Sequence, residues 1–510
     1  MNSKDLLKQL YSIQGLLLVF LCIQFVGITN PPLEIGHNWR QTITAMIARN
    51  LPFDGYNVWY PKVDFTGNNS GIIGSEFPFF QWIIACINSV FGYSHWTGRI
   101  VNLLISSYGA WCFFQFLKQA FNHRLALNAT GILLFSVWFS FSRKIMPDTF
   151  SISLILISLR QIQWYWLSQR IVHLILAFIG ISLGILCKLP AISWVFAAGF
   201  LLPKLIKYYQ INKRLEPKSI SILITIALAT IPGLIWYFYW VPKLNQHFQL
   251  FYPKSLIQGA KEIIPYWRLL LEKFYFTAFY SFLSLFLLLV GITFIRNCKK
   301  ENYQNRNIDY SLNLRDFNQS LIGFLLVFLV FIVKTGDVFP KHNYYIIPAM
   351  PFLAVLSALG IEKTILHFQS FPNYKHFGNS ISAIILLAAM SEGFLNQMHE
   401  LKIKPSEWYK LELEKISQTL PKNALVISNA GVNPQELYFL NRKGWVRFPN
   451  QIQNQHHLDS LIAQKANYLL INKNIQTQNG NLSYYRTYNS IDFEVYDLTR
   501  KSKQNHSKNQ

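Results

Sequence analysis

The chain has 510 residues, of which 51% are hydrophobic, 16% aromatic and only 14% charged, far from the averages of soluble globular domains. Its formal charge of +23 would suit nucleic acid, but the lysines and arginines are scattered between apolar runs and form no basic face or arm, which excludes that class. What remains is an α-helical polytopic membrane protein whose basic residues mark cytoplasmic loops and a phosphate-bearing partner.

At the N-terminus Lys4 and Lys8 precede an apolar run, yet the exit sequence GITNPPL offers no small-x-small cleavage site. Residues 10–29 therefore read as an uncleaved first helix that starts in the cytoplasm. The next stretch, PPLEIGHNWRQTITAMIARNL over 31–51, packs Glu34, His37, Trp39, Arg40 and Gln41 together. Pro31 and Pro32 stop the first helix, and Asn38 is the expected cap of the next. Trp39, Ile43, Met46 and Ile47 share one helical face, which predicts an amphipathic helix lying in the outer interface with its Trp at headgroup depth. Glu34 is then held in a short turn between a spanning helix and a surface helix.

Apolar runs able to cross about 30 Å of hydrocarbon occur at 10–29, 98–118, 124–142, 147–167, 171–188, 190–206, 218–240, 274–295, 319–334, 343–361 and 378–396, eleven spans in all. The segment 79–92 would reach only about 21 Å as a helix and is placed flat in the interface. That choice puts the basic loop 204–218 in the cytoplasm, as the positive-inside bias wants, although the outer loop 241–273 is basic as well. Cys22, Cys86, Cys112 and Cys187 fall in or beside apolar segments and Cys298 in a basic loop, so free thiols are expected.

The domain plan is thus a transmembrane part over 1–396, including a first outer loop at 30–97, a small soluble α/β domain over 397–500 outside the membrane, and a disordered tail at 501–510. Within 397–500 the pattern predicts helices at 406–419, 434–440 and 457–465 and strands at 424–428, 468–472 and 493–498. An odd number of spans sets this domain on the same face as Glu34.

On that face the reading gathers Glu34 with His37 and Arg40, Glu76 in GSEFP, Arg143, Lys144 and Asp148 in SRKIMPDTF, Lys188 in CKLP, and Lys341, His342, Tyr344 and Tyr345 in KTGDVFPKHNYY. Each alone has a bland reading: a solvated loop acid, basic residues snorkelling at a helix end, an Asp answering a helix dipole. Ionisable groups at membrane depth usually face a cavity or a partner, and their coincidence on one rim points to transfer from a lipid-phosphate donor. A carboxylate takes the proton of an attacking hydroxyl, and cations stabilise the departing phosphate.

The run E-x-x-H-x-W-R-Q-x-x-x-x-x-x-I-A-R-N, followed by E-x-P, M-P-D and H-N-Y-Y motifs, resembles the GT-C membrane glycosyltransferases, in particular the glycosyltransferase family 39-like branch of protein O-mannosyltransferases and the lipid A aminoarabinose transferase. The resemblance covers about residues 10–396. It implies an inverting transferase with a polyprenyl-phosphate sugar donor, working at the extracytoplasmic face of the plasma (inner) membrane. Its acceptor is a hydroxyl on a glycan, lipid or protein. The family's catalytic acid falls on Glu34, where many members have Asp. Its second loop acid falls on Glu76, followed by Phe77 where a lysine is common, and its third on Asp148. Arg40, Arg143, Lys144, Lys188, Lys341, His342, Tyr344 and Tyr345 are the expected donor-phosphate contacts, with His37, Trp39 and Gln41 in positioning roles. A divalent metal is left open: Glu76, Asp148 and His342 carry suitable ligand atoms, but their spacing demands none. The competing readings are a transporter or flippase of a lipid-linked glycan, against which stands the lack of internal repeats, and a surface-polysaccharide polymerase or ligase, which shares the donor.

Overall fold

A computed structural model describes residues 12–249, 254–298, 310–374, 377–475 and 483–501. Lys4, Lys8, the tail beyond Lys501 and the side chain of Cys298 lie outside the described part; Cys22, Cys86, Cys112 and Cys187 are free.

Among the described residues six helices are long and apolar enough to cross a membrane: Thr97–Ala120, Leu189–Asn212, Pro217–Leu244, Leu314–Thr335, Asn343–Gln369 and Gly378–Leu401. A seventh candidate is the pair Leu256–Thr277 and Phe282–Arg296, bent by 93°. The eleven expected spans differ from this for local reasons. The expected 124–142 span is broken into His123–Leu134 and Val137–Phe141, where Ser136 turns its hydroxyl oxygen to the Trp138 amide at 3.2 Å. The first apolar helix runs Ile13–Gln24 and that at 171–188 runs Ile171–Cys187, both short for a span. Pro147–Ser168 has 22 residues but buries Ser151, Ser153, Ser158 and Gln161 along its length.

Two compact units make up the chain. One comprises Met1–Ile28, Thr97–Tyr239 and Tyr252–Leu401, and its core is a continuous set of Leu, Ile, Phe and Ala side chains. Small residues let its helices cross closely. A Cβ on Gly291 would meet the Leu356 carbonyl at 1.9 Å, and one on Gly360 would meet that of Leu287 at 1.9 Å.

The other unit comprises Thr29–Trp96, Trp240–Phe251 and Lys402–Gln510. It holds one five-stranded sheet, built from β1 (Leu425–Ser428), β2 (Lys443–Val446), β3 (Tyr468–Asn472), β4 (Tyr484–Asn489) and β5 (Phe493–Lys501). The order is β2-β1-β3-β5-β4, parallel from β2 to β3 and antiparallel beyond. The three expected strands are present, with Lys501 closing the last of them and not opening the tail; β2 and β4 are additions. Side chains alternate along each strand, so Val426, Leu470 and Val495 face one way and Ile427, Leu469 and Tyr496 the other. The first face packs on Leu33, Ile43, Met46 and Ile47, so the sheet and the segment around Glu34 share one core.

Candidate active site

Glu34 sits on a turn whose backbone is fixed from the C-terminal side of the chain. The Ile35 amide donates to the Lys402 carbonyl at 3.1 Å and the Lys404 amide to the Leu33 carbonyl at 3.0 Å, a two-stranded bridge pairing Glu34 with Ile403. Gln435, fully buried, donates from Nε2 to the Pro32 carbonyl at 3.2 Å and accepts from Lys410 Nζ at 2.8 Å. Next to it Glu436 is fully buried, accepting from Ser428 and from Asn472 Nδ2. Burial pushes its carboxyl above the usual glutamate range; those two hydrogen bonds and the Lys410 charge offset only part of that. The Glu34 side chain is 1% exposed and accepts from Asn30 Nδ2 at 3.2 Å, so it is not a solvated loop acid.

After Glu34 the chain reverses through two left-handed residues, Gly36 at φ 81° and His37 at φ 55°. His37 takes the position expected for Asn38 as the residue before the helix, and the helix runs Asn38–Asn50. Left-handed backbone is uncommon outside glycine. This helix is not the surface helix expected from its pattern, because every residue from Arg40 to Ala48 is buried. Its polar residues bury at low cost because they bond their own backbone: Thr42 Oγ1 donates to the Trp39 carbonyl at 2.7 Å and Thr44 Oγ1 to that of Arg40 at 3.3 Å. Trp39 stays partly exposed, and Gln41 is fully buried. Arg40, in the first turn, forms a buried ion pair with Glu76, so two separately expected site residues are partners.

In the helical unit the M-P-D turn opens Pro147–Ser168, with Pro at the first helical position and Asp148 in the first turn, as a helix dipole favours. Asn102 holds this turn, donating to the carbonyls of Phe141 and Lys144 at 2.8 Å each. Asp148 Oδ1 pairs with Lys188 Nζ at 3.1 Å. Lys188 also lies 5.1 Å from the ring centre of Tyr344 and 5.9 Å from that of Tyr345, in reach of cation–π attraction. His342 stacks on Tyr344 at 5.3 Å. Asp148, Lys188, His342, Tyr344 and Tyr345 are thereby one cluster.

The remaining cations have other company. Arg143 donates to the carbonyls of Gln24, Val26 and Gly27 at 2.7–2.8 Å, satisfying the end of the first helix. Lys144 pairs with Glu400 at 2.7 Å, both buried. Lys341 is exposed and turns to Asp337 at 2.7 Å and over the Tyr266 ring at 4.5 Å. Asp337 also takes Lys254 at 2.8 Å, and the hydrogen bonds from Lys254 and Lys341 hold its carboxyl well below the usual range. Lys341 therefore belongs to a separate surface group.

Asn102, Glu400 and Gln435 have no sequence signal: an isolated amide or acid beside a helix end says nothing of its distant partner. Among the described residues no group of three or more His, Cys, Asp or Glu side chains is placed to hold a metal ion.

Chemically, the sheet-bearing unit offers a buried carboxylate on a rigid turn and an Arg–Glu pair, and the helical unit, separately, offers a lysine between an acid and two phenol rings. A salt-bridged Arg or Lys keeps further N–H donors for an anion. Residues 75–236 match the family model described as dolichyl-phosphate-mannose-protein mannosyltransferase. Among solved structures, ArnT from Cupriavidus metallidurans bound to undecaprenyl phosphate shares the fold with a TM-score of 0.63 at 13% identity, over 95% of this chain and 97% of that one. AglB, the archaeal oligosaccharyltransferase from Archaeoglobus fulgidus in complex with an inhibitory peptide and a dolichol-phosphate, matches with a TM-score of 0.55 at 12% identity, over 90% of this chain and 69% of that one. No curated protein sequence matches the chain. The resemblance drawn from the motifs is upheld: the chain is a multi-pass membrane protein with the GT-C fold.

Proposed function

We propose that this GT-C-type membrane glycosyltransferase takes a sugar from a polyprenyl-phosphate donor and passes it, with inversion, to an acceptor hydroxyl on the extracytoplasmic face of the plasma membrane. The observation that carries the reading is Glu34, a carboxylate almost wholly removed from water on a turn clamped by two backbone hydrogen bonds and Gln435. A general base needs such a fixed position more than it needs exposure. The likeness along nearly the whole chain to a protein whose structure holds undecaprenyl phosphate supports the donor class.

In the proposed reaction Glu34 accepts the proton of the acceptor hydroxyl as its oxygen bonds to the anomeric carbon. The bond from that carbon to the phosphate oxygen breaks on the opposite side, and the electron pair leaves with the polyprenyl phosphate. One displacement inverts the carbon. Arg40, held in place by Glu76, stabilises the negative charge that grows on the phosphate.

The test is transfer by the purified chain in lipid nanodiscs, with a panel of radiolabelled polyprenyl-phosphate sugars and a membrane extract as acceptor. Label should move to a new product in the wild type and stay on the lipid with Glu34→Gln. Passage of intact lipid-linked glycan across vesicles without transfer would replace this reading with a flippase.

A further inference from the structure

The Asn38–Asn50 helix carries Arg40 near its start and Arg49 near its end, about 14 Å apart at 1.5 Å per residue. At the Arg49 end lies a cavity of about 480 Å³ within the sheet-bearing unit, inside the range of about 300–1,000 Å³ typical of small-molecule sites. Its floor is a chain of hydrogen bonds. Arg49 donates from Nη2 to Asp64 at 2.7 Å and from Nη1 to the Tyr438 carbonyl at 2.8 Å, with its guanidinium 4.8 Å over the Tyr438 ring. The Tyr438 hydroxyl meets that of Tyr93 at 2.6 Å and His95 Nδ1 at 2.8 Å, and His95 Nε2 faces Glu414 at 2.8 Å.

This arrangement selects against an anion. The Arg49 charge is taken up by Asp64, and the outermost charged group is Glu414, an acceptor. What the walls offer is neutral: the amides of Asn88 and Asn441, the hydroxyl of Ser417, and the aromatic faces of Phe53, Tyr93 and Phe439. Amides and hydroxyls that both donate and accept suit neighbouring sugar hydroxyls, and the negative face of an aromatic ring suits the C–H face of a pyranose. The Arg–Tyr–Tyr–His chain, anchored on the buried Tyr438, fixes these walls before a ligand arrives, which lowers the ordering cost of binding.

We propose that this cavity is a subsite for a neutral sugar ring of the acceptor, one helix length from the reacting hydroxyl. Only the word acceptor rests on the function proposed above; the sugar preference stands on the cavity itself. Binding energy collected at such a distance can be used at the reacting carbon.

The experiment is saturation-transfer NMR on the full chain in nanodiscs, with methyl α-mannoside, maltose and chitobiose as probes at millimolar concentration. Phe53→Ala removes a side chain that is 87% exposed, and Asn441→Gly deletes the amide at a residue with φ 51°, a backbone that glycine adopts freely. Neither change should disturb folding, which thermal melting checks. At least one probe should bind the wild type and Glu34→Gln alike and lose affinity about tenfold, or 1.4 kcal/mol, in each cavity variant. Absence of binding by every probe, binding unchanged by both variants, or displacement by inorganic phosphate overturns the proposal. Sugar binding that persists in a protein without transferase activity would keep the subsite and discard the proposed function.

Discussion

Lys188 closes on Asp148 at 3.1 Å, Nζ to Oδ1, joining the end of the Ile171–Cys187 helix to the start of Pro147–Ser168. Two ionisable groups that would each be costly to bury alone are tolerable together. The pair also sets Lys188 beside Tyr344 and Tyr345, so its geometry is fixed by three partners from two other segments.

Breaking this pair from one side should cost more than removing it whole. Asp148→Asn takes the carboxylate from the half-buried Lys188, with a penalty below the about 3–5 kcal/mol of a fully buried pair. The double variant Asp148→Asn/Lys188→Met should recover part of the loss in thermal melting. Equal destabilisation by single and double variants would show that the two residues act independently. Both proteins should be poor transferases.

Glu34→Gln keeps the shape of the turn and removes the base. Turnover should fall by about 10²–10⁴-fold, while affinity for the polyprenyl-phosphate donor stays near the wild-type value. A matching loss in donor affinity would assign Glu34 to binding.

Gln435→Met should loosen the Glu34 turn from a distance. The Pro32 carbonyl and Lys410 Nζ would each lose a partner, at about 1–3 kcal/mol. Hydrogen exchange at the Ile35 and Lys404 amides should speed up, and the turnover number should drop with little change in KM. The same exchange with normal turnover would separate the clamp from catalysis.

Glu436 makes the sheet-bearing unit less stable as pH rises above the ordinary glutamate range. Its carboxyl titrates above the usual value because it is buried, so its stabilising contribution is complete below the unfolded-state pKa and is lost as pH rises through the folded-state pKa. The melting temperature should decline over that range. Glu436→Gln, which cannot ionise, should flatten the decline; a variant with the wild-type slope would show that another group is responsible.

Much of this molecule can be seen in its sequence, and the parts that cannot share a cause. Long apolar runs announce helices, and Pro31 and Pro32 announce the Glu34 turn, because these signals are local. The break at Ser136 is invisible in an apolar run, since a single serine does not interrupt hydropathy. The Asn38–Asn50 pattern reads as amphipathic because polar residues such as Thr44 look like a water-facing side; the hydroxyls of Thr42 and Thr44 bond the helix backbone, so burial is open to them. β2 is four residues long, and Gly444 lies where a Cβ would meet the Val426 carbonyl at 1.7 Å. That requirement comes from the neighbouring strand and not from β2. Asp148 and Lys188, or Arg40 and Glu76, were each visible as ionisable groups, but charge alone does not name its partner.

The separation of 403 positions between Pro32 and Gln435 also sets an order of events during synthesis. The segment around Glu34 leaves the ribosome with Leu33, Ile43, Met46 and Ile47 lacking the partners they later bury against. At about 5–20 residues per second, roughly 20–80 s pass before Gln435 exists. For that interval the segment bearing the proposed base is an unfinished fold beside the bilayer, open to whatever holds nascent chains there. Truncation just after the Gly378–Leu401 helix should therefore leave a protein with its helices inserted and its Glu34 turn unmade.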